Sequence, residues 1–209
     1  MSYTTIYEYA TDSFTEKKSE FIGHICPVKT QEEAVRFIEY IKGQHRKARH
    51  NVYAYVLRDG NASRYSDDGE PQGTGGVPVL DVINKAGLTD VCVVVTRYFG
   101  GVLLGASGLV RAYSQACSLA VSAAKKMVMC ECSRLSFSCD YTLYGKVSYL
   151  LPEYGVINEK EDFADTVNMA VLVRAERADD LKKKLTDVSG GHLQLSEDTD
   201  LWADFADKL

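Results

Sequence analysis

DVCVVVTRYFGGVLLGASGLVRAYSQACSLAVSAAKK, residues 90–126, decides the fold of this 209-residue chain. Its five consecutive apolar residues, Val91 to Val95, predict a short strand buried on both faces. A glycine-rich loop follows, and apolar residues then recur at helical spacing. We therefore predict a strand, a loop and a helix, with Ser107 as the helix N-cap. The predicted buried face of the helix comprises Leu109, Ala112, Tyr113, Ala116, Cys117, Ala120 and Ala124.

The loop between this strand and helix carries a candidate anion site. Glycines let a backbone approach a ligand closely, and a helix N-terminus presents free N–H groups to an anion. One interpretation is a phosphate-binding loop with arginine support, although neither common nucleotide-binding glycine motif is present. A tight turn in a packed domain is the alternative interpretation. The residues concerned are Arg97, Gly100, Gly101, Gly105, Gly108 and Arg111.

Composition and charge limit the class of protein. The chain is 45% hydrophobic and 25% charged, which is typical of a soluble protein of one or two domains. It has no apolar run of membrane-spanning length and no secretory signal pattern, and its six scattered cysteines are typical of reduced thiols, so we expect a cytoplasmic location without membrane contact. The net charge of −5 divides into +2 for residues 1–130 and −7 for residues 131–209. This asymmetry predicts two domains with different roles.

A basic segment precedes the second predicted strand. Residues 45–50, HRKARH, place three permanent cations and two histidines within six positions. They form either a solvated loop after a helix or half of an anion-binding patch. Arg97 and Arg111 would complete that patch. The predicted ligands of the segment are Arg46, Lys47, Arg49 and His50.

An acidic loop, DDGEPQGTGG at residues 67–76, is the second informative motif. Asp67, Asp68 and Glu70 are suited to hold Mg²⁺ or to act as a general base. The structural alternative is a turn, because Asp-Gly and Glu-Pro pairs favour turns. Apart from this candidate magnesium site we expect no cofactor. Cys130, Cys132 and Cys139 lack the second spaced pair that a zinc site requires.

The remaining patterns complete the architecture. A strand is predicted near residues 17–28, a helix capped by Thr30 and Glu33 follows, and a hairpin turns at residues 59–61. Residues 134–197 show the order βαββαβ, which predicts a ferredoxin-like domain with a binding or regulatory role. The acidic tail, with Trp202 among its apolar residues, predicts a short amphipathic helix. The predicted boundaries are residues 1–130, 134–197 and 198–209.

Three sequence blocks resemble the IMPACT family in its bacterial two-domain form. They are ARHN at residues 48–51, DDGEP with GTGG at residues 67–76, and RYFGG with the segment LG…GLVRAY at residues 97–113. The resemblance implies an α+β fold: an N-terminal domain like the second domain of a small-subunit ribosomal protein, and a C-terminal domain like domain V of elongation factor G. Leu103 stands where many relatives have lysine, which removes one charge from the predicted anion site. Ser107 replaces a frequent glycine, and Val52 replaces a frequent cysteine.

The resemblance also implies a function. Eukaryotic family members regulate translation, so we expect a non-enzymatic regulator that binds RNA or the ribosome by phosphate contacts. Tyr98 and Phe99 would stack on unpaired bases. The predicted nucleic-acid and anion-binding residues are Arg46, Lys47, Arg49, His50, Arg97, Tyr98, Gly100, Gly101, Gly105 and Arg111.

Two other functions stay open. The first is an enzyme that binds a small molecule or nucleotide, with Mg²⁺ at Asp67, Asp68 and Glu70. The second is an adaptor that binds a protein partner through the acidic C-terminal domain and the tail around Trp202.

Overall fold

The computed structural model describes residues 1–205, which form two compact units. One unit contains residues 4–127, and the other contains residues 1–3 together with the described residues from 128 onward. Each unit combines a five-stranded sheet with α-helices, so the predicted α+β class is confirmed. No helix within residues 1–205 has the length and apolar character to cross a membrane.

The sheet of the first unit has the strand order β2-β3-β6-β4-β5, and its neighbouring strands are antiparallel. The apolar run Val91 to Val95 lies in its central strand, β6, as predicted. The central position of β6 in the sheet follows from its sequence, because these five residues have no polar side chain that would favour a solvent-exposed face. The elements are β2 Ala10–Glu16, β3 Ser19–Pro27, α1 Gln31–Gln44, β4 His50–Val56, β5 Ser63–Ser66, α2 Gly76–Lys85, β6 Val91–Tyr98 and α3 Ala106–Ala123.

Helices cover both faces of this sheet. On one face of β6, Val91, Val93 and Val95 pack with α2 and α3. On the other face, Cys92 and Val94 pack with α1. Because successive side chains of β6 point to opposite faces, the strand contributes to two hydrophobic cores, one on each side of the sheet. All seven residues predicted for the buried face of α3 are buried, which confirms the helical spacing.

Two helix starts test the capping predictions. Thr30 caps α1 through its Oγ1, which accepts from Glu33 N–H at 3.2 Å, and the Glu33 carboxylate accepts from Lys29 N–H at 2.6 Å. The prediction that Ser107 caps α3 is wrong, because the helix begins at Ala106 with Gly105 as N-cap. Gly105 has φ 73°, a left-handed conformation that glycine adopts at little cost.

The sequence patterns missed the strands that precede β3. Strand β1, Ser2–Ile6, contributes its first residues to the second unit, and β2 forms an edge of the first sheet. Most side chains of β2 are exposed, and only Ala10 and Phe14 pack partly against the core. An edge strand with one weak apolar face gives little periodic signal.

The second unit has the predicted βαββαβ order. Its sheet runs β10-β7-β9-β8, with antiparallel neighbours, and β1 also pairs in this sheet. Leu135, Val171, Leu181 and Leu185 lie at its core. The elements are β7 Lys126–Cys139, α4 Tyr141–Leu150, β8 Ile157–Phe163, β9 Val167–Arg174, α5 Ala175–Val188 and β10 Leu195–Asp204.

The prediction of an amphipathic helix in the tail is wrong over residues 198–204. This segment belongs to β10, which pairs with β7 through a register shift between Asp198 and Leu201. Phe205 follows the strand and is buried with Cys132 and Leu172. The remainder of the predicted tail, residues 206–209, lies outside the described residues.

Candidate functional site

A cleft of about 370 Å³ lies in the first unit, where β6 ends and α3 begins. We call it the β6–α3 cleft. It brings together residues from all three sequence blocks that resemble the IMPACT family. The residues that matter for its chemistry are Arg49, His50, Glu70, Arg97, Phe99 and Ala106.

A buried ion pair forms the inner wall of this cleft. Arg97 Nη1 donates to Glu70 Oε1 at 2.6 Å, and the Tyr113 hydroxyl donates to the same oxygen at 2.8 Å. Arg97 is 6% exposed and Glu70 is 9% exposed. Burial and the adjacent Glu70 carboxylate raise the pKa of Tyr113, which keeps its hydroxyl a donor. Sequence reasoning placed Tyr113 only in the helix core and missed this hydrogen bond.

The guanidinium of Arg97 lies between two aromatic rings. Its central carbon is 5.4 Å from the Phe21 ring centroid and 5.5 Å from that of Phe99. Its Nε atom is buried and has no hydrogen-bond partner among the described residues. Arg97 is thus a packed and partly unsatisfied donor, a burial that its position in the sequence does not reveal.

His50 lies beside this pair with one ring nitrogen fixed. Its Nδ1 is 2.8 Å from the Asp68 carbonyl oxygen, which only accepts, so Nδ1 carries the proton in this hydrogen bond. Its Nε2 faces Glu70 Oε1 at 3.9 Å. The register of the sheet explains the placement, because His50 on β4 is directly opposite Arg97 on β6.

The three carboxylates of the acidic loop do not converge. Asp67 accepts N–H bonds from Gly73, Gly75 and Gly76 at 2.8–2.9 Å and so shapes the start of α2. Burial raises the pKa of Asp67, but these three N–H bonds outweigh burial and lower it. The loop therefore has the structural role that turn chemistry indicates for its first residue.

Asp68 and Glu70 have partners of their own. Asp68 accepts from Asn51 N–H at 2.7 Å and pairs with Lys42 at 3.2 Å, while Glu70 binds Arg97. Within residues 1–205, no three His, Cys, Asp or Glu side chains are arranged to hold a metal ion. The three carboxylates thus have separate protein partners, and the magnesium site that the sequence suggests stays a prediction.

The N-terminus of α3 opens on the cleft through Gly105 and Ala106. Within residues 1–205, no side chain caps this end of the 18-residue helix. The N–H groups of Ala106, Ser107 and Gly108 therefore have no partner within the helix, and the helix dipole adds partial positive charge at this point. This is the feature of the predicted glycine-rich loop that the structure places in the cleft.

The structure divides the predicted basic patch. Arg46, Lys47 and Arg49 are exposed, and Arg49 lines the cleft. Arg111 is exposed on the side of α3 opposite Leu109, because two positions along a helix turn a side chain by roughly 200°. Arg111 is not among the residues that line the cleft.

Tyr98 lies on the other face of the sheet from Arg97, since successive strand residues alternate. Its hydroxyl is 2.9 Å from His45 Nδ1, and the His45 ring is 5.0 Å from that of His24. Burial and the neighbouring His45 lower the pKa of His24 to about 4. The sequence patterns did not predict this cluster of tyrosine and histidine side chains.

The loop glycines have different roles. Gly100 packs directly against the turn at Lys18 and Ser19, and a Cβ there would overlap the Lys18 carbonyl. Gly101 and Gly105 have positive φ and open space beside them. Close approach at Gly100 is therefore to the protein itself, whereas Gly105 shapes the helix start that faces the cleft.

Fold and cleft together define a class: a two-unit α+β protein whose first unit has a cleft rich in hydrogen-bond donors. Residues 17–121 match the family model "Impact N-terminal domain", and residues 137–192 match "Domain of unknown function (DUF1949)". The chain belongs to the IMPACT family, as its three sequence blocks predict.

Individual relatives match over most of the chain. It is 36% identical to IMPACT family member YvyE of Bacillus subtilis, over 94% of this chain and 91% of that protein. It is 32% identical to IMPACT family member YigZ of Escherichia coli, over 86% and 89% of the two chains. A crystal structure described as that of a hypothetical protein matches with a TM-score of 0.63 and 31% identity, covering 93% of this chain and 96% of the other.

Proposed function

We propose that this protein is a non-enzymatic regulator of translation that binds RNA or the ribosome through its first unit. One observation carries the proposal: the uncapped N-terminus of α3 and the exposed Arg49 side chain line the same cleft. Free helix N–H groups and an arginine are both donors to phosphate oxygens.

The basic segment beside the cleft extends this surface. Arg46 and Lys47 are exposed next to Arg49, and Arg46 Nε donates only to the nearby Gly43 carbonyl at 3.2 Å among its described hydrogen bonds. Such side chains neutralise phosphates without reading sequence. We therefore propose affinity that falls with salt and depends weakly on RNA sequence.

Arg97 has a different role in this proposal from the one that its sequence position indicates. Its Nη1 is engaged by Glu70, and both residues are buried. The pair supports the inner wall of the cleft, and Arg46, Lys47 and Arg49 supply the exposed charge. Phe99 remains the candidate for base stacking, because it is 44% exposed at the cleft.

Family membership supports translation as the context. Eukaryotic members of the IMPACT family are translation regulators. For this chain the cytoplasmic location and the ribosomal partner are part of the proposal. A protein partner for the C-terminal unit is a second, independent expectation from its acidic charge.

Ribosome co-sedimentation at several salt concentrations tests the proposal. The variant Arg46→Gln/Arg49→Gln removes two exposed charges beside the cleft. The control Arg36→Gln/Lys85→Gln removes two exposed charges of the same unit that lie outside the cleft lining. We expect weaker binding for the first variant only, and its salt slope should fall by about 0.7 for each phosphate of single-stranded RNA that is no longer neutralised.

Two results would contradict the proposal. The wild-type protein could fail to sediment with ribosomes at low salt. Alternatively, both double variants could show the same reduction in binding, which would indicate a general charge effect without a role for the cleft.

A further inference from the structure

The β6–α3 cleft combines exposed hydrogen-bond donors with one buried carboxylate. The N–H groups at the start of α3 lack a helix partner, and Ala106 among these residues lines the cleft. Arg49 lines the cleft as an exposed cation, whereas Arg97 is buried and paired with Glu70. The one carboxylate in the lining, Glu70, already accepts from Arg97 and Tyr113 through its Oε1. An anionic occupant with acceptor oxygens therefore complements the exposed donors of this cleft.

The size and depth of the cleft limit this occupant to one unit of a larger ligand. A volume of about 370 Å³ is at the small end of the range for small-molecule sites. The inner wall consists of the buried residues Glu70, Arg97 and Leu109. An oligonucleotide thus has room for one nucleotide in the cleft, and its other nucleotides remain outside.

The donors converge in the way that a terminal phosphate requires. Ala106, Ser107 and Gly108 begin one helix, so their N–H groups point in one direction toward one ion. A phosphodiester offers two free oxygens, whereas a phosphate monoester offers three and carries a larger negative charge. Three convergent N–H donors and Arg49 are therefore better matched by the monoester.

The mouth of the cleft is apolar and exposed. Phe99 is 44% exposed and Leu103 is 82% exposed, and both line the cleft. An aromatic ring provides a surface on which a nucleobase stacks without sequence preference. The site thus combines a donor-rich interior with an apolar entrance.

From this combination we infer that the β6–α3 cleft binds a nucleotide through its terminal phosphate monoester. The inference deepens the proposed function and rests on it for the RNA source of the ligand, since a free mononucleotide has the same chemistry. The phosphate binds to the N–H groups of α3 and to Arg49, and the base lies against Phe99.

Fluorescence anisotropy with ten-nucleotide RNAs of one sequence tests the inference. The label is internal, and the ends carry a 5′-phosphate, a 3′-phosphate or hydroxyl groups only. We expect one of the phosphorylated RNAs to bind about tenfold more tightly than the hydroxyl RNA, as charge-assisted hydrogen bonds imply. AMP should compete with that RNA, and adenosine should not.

The variant Ala106→Pro removes one N–H donor of α3 without changing a side-chain charge. Proline is well tolerated at the first position of a helix, so the melting temperature should be unchanged. The control Ala106→Ser retains the N–H group. We expect Ala106→Pro to reduce the preference for the phosphorylated end several-fold and Ala106→Ser to retain it.

The outcomes separate this inference from the proposed function. Equal binding of all three RNAs, unaffected by Ala106→Pro, would overturn the terminal-phosphate inference and leave RNA binding intact. Failure of every RNA to bind, with AMP raising the melting temperature of wild type and not of Ala106→Pro, would overturn the RNA function and support a mononucleotide ligand. Absence of both RNA and AMP binding would overturn both.

Discussion

Arg97 and Glu70 form a buried ion pair between a central strand and a surface loop, with 2.6 Å between Nη1 and Oε1. The Tyr113 hydroxyl donates to the same oxygen from α3. One carboxylate therefore joins β6, the acidic loop and α3. The geometry of the cleft depends on these two residues, although neither offers exposed charge to a ligand.

Removing one partner of this pair should be costly. We expect Arg97→Met to lower the free energy of unfolding by about 3–5 kcal/mol, because Glu70 would be left as a buried unpaired charge. The double variant Glu70→Leu/Arg97→Met should recover more than half of that loss. Urea titration followed by circular dichroism measures both values.

The fluorescence of Trp202 shows whether these substitutions in the first unit also change the unfolding of the second unit. It is the single tryptophan of the chain and lies in the second unit, so its fluorescence follows that unit.

Equal stability of Arg97→Met and Glu70→Leu/Arg97→Met by circular dichroism would contradict the prediction, because the unpaired Glu70 carboxylate would then cost nothing.

Leu103 gives a gain-of-function prediction. It is 82% exposed and lines the cleft, so Leu103→Lys adds a cation at the entrance without disturbing the core. We expect severalfold tighter RNA binding and a salt slope larger by about 0.7. Val35→Lys is the matched control, because Val35 is also exposed in the same unit and lies outside the cleft lining. Similar gains in both variants would exclude a specific effect of the cleft.

Gly100 and Gly101 should respond very differently to alanine. A Cβ at Gly100 would overlap the backbone at Lys18, so Gly100→Ala should cost more than about 3 kcal/mol of stability. Gly101 has φ 84° with open space around it, so Gly101→Ala should cost only about 1–2 kcal/mol of backbone strain. Thermal melting of the two variants compares them, and the reverse order would contradict the packing described at this turn.

The lowered pKa of His24 predicts that the folded protein loses stability in mild acid. Its pKa in the folded protein is about 4, because burial and then His45 disfavour the charged ring, whereas the unfolded value is 6.5. The unfolded chain therefore takes up a proton first, and stability falls as the pH drops from about 7 to 4. The shift corresponds to about 3 kcal/mol.

Melting temperatures of wild type and His24→Gln between pH 7.5 and 4.5 measure this contribution. The wild-type protein should lose more stability on acidification than the variant does. Parallel curves would show that another group governs the acid response.

The parts of the fold that sequence predicted well are those with strong periodic signals. Val91 to Val95 have no polar member, and the buried face of α3 repeats at helical spacing over four turns. The βαββαβ order of the second unit was predicted from the same signals. Strand β2 was missed because only Ala10 and Phe14 pack against the core, which is too few to define a period.

The cleft was predictable only in part. All of its charged lining residues were singled out, but sequence does not show that Arg97 pairs with a glutamate 27 positions away. One signal was available and not used: Arg97 and Tyr98 are adjacent in a strand, so their side chains had to face opposite sides of the sheet. The contribution of Tyr113 depended on the tertiary structure, because a tyrosine on an apolar helix face is also a normal core residue.

In the C-terminal tail, the spacing of apolar residues was interpreted as that of a helix although the segment forms a strand. Leu201, Trp202 and Phe205 have the spacing of one helix face, yet residues 195–204 form a strand. The register shift between Asp198 and Leu201 interrupts the alternation that identifies a strand. Pairing with β7 then determined the structure, since a long neighbouring strand was available.

The placement of residues 1–3 constrains the order in which the protein matures during synthesis. Residues 4–127 form one compact unit, and domains generally fold as units during synthesis, so we expect this unit to fold while later residues are still being translated. The second unit also needs residues 1–3, and the ring of Tyr3 lies 5.0 Å from that of Trp202. The contact between Tyr3 and Trp202 therefore forms only after almost 200 further residues have been synthesised. The second unit completes its folding only after β10 has left the ribosome.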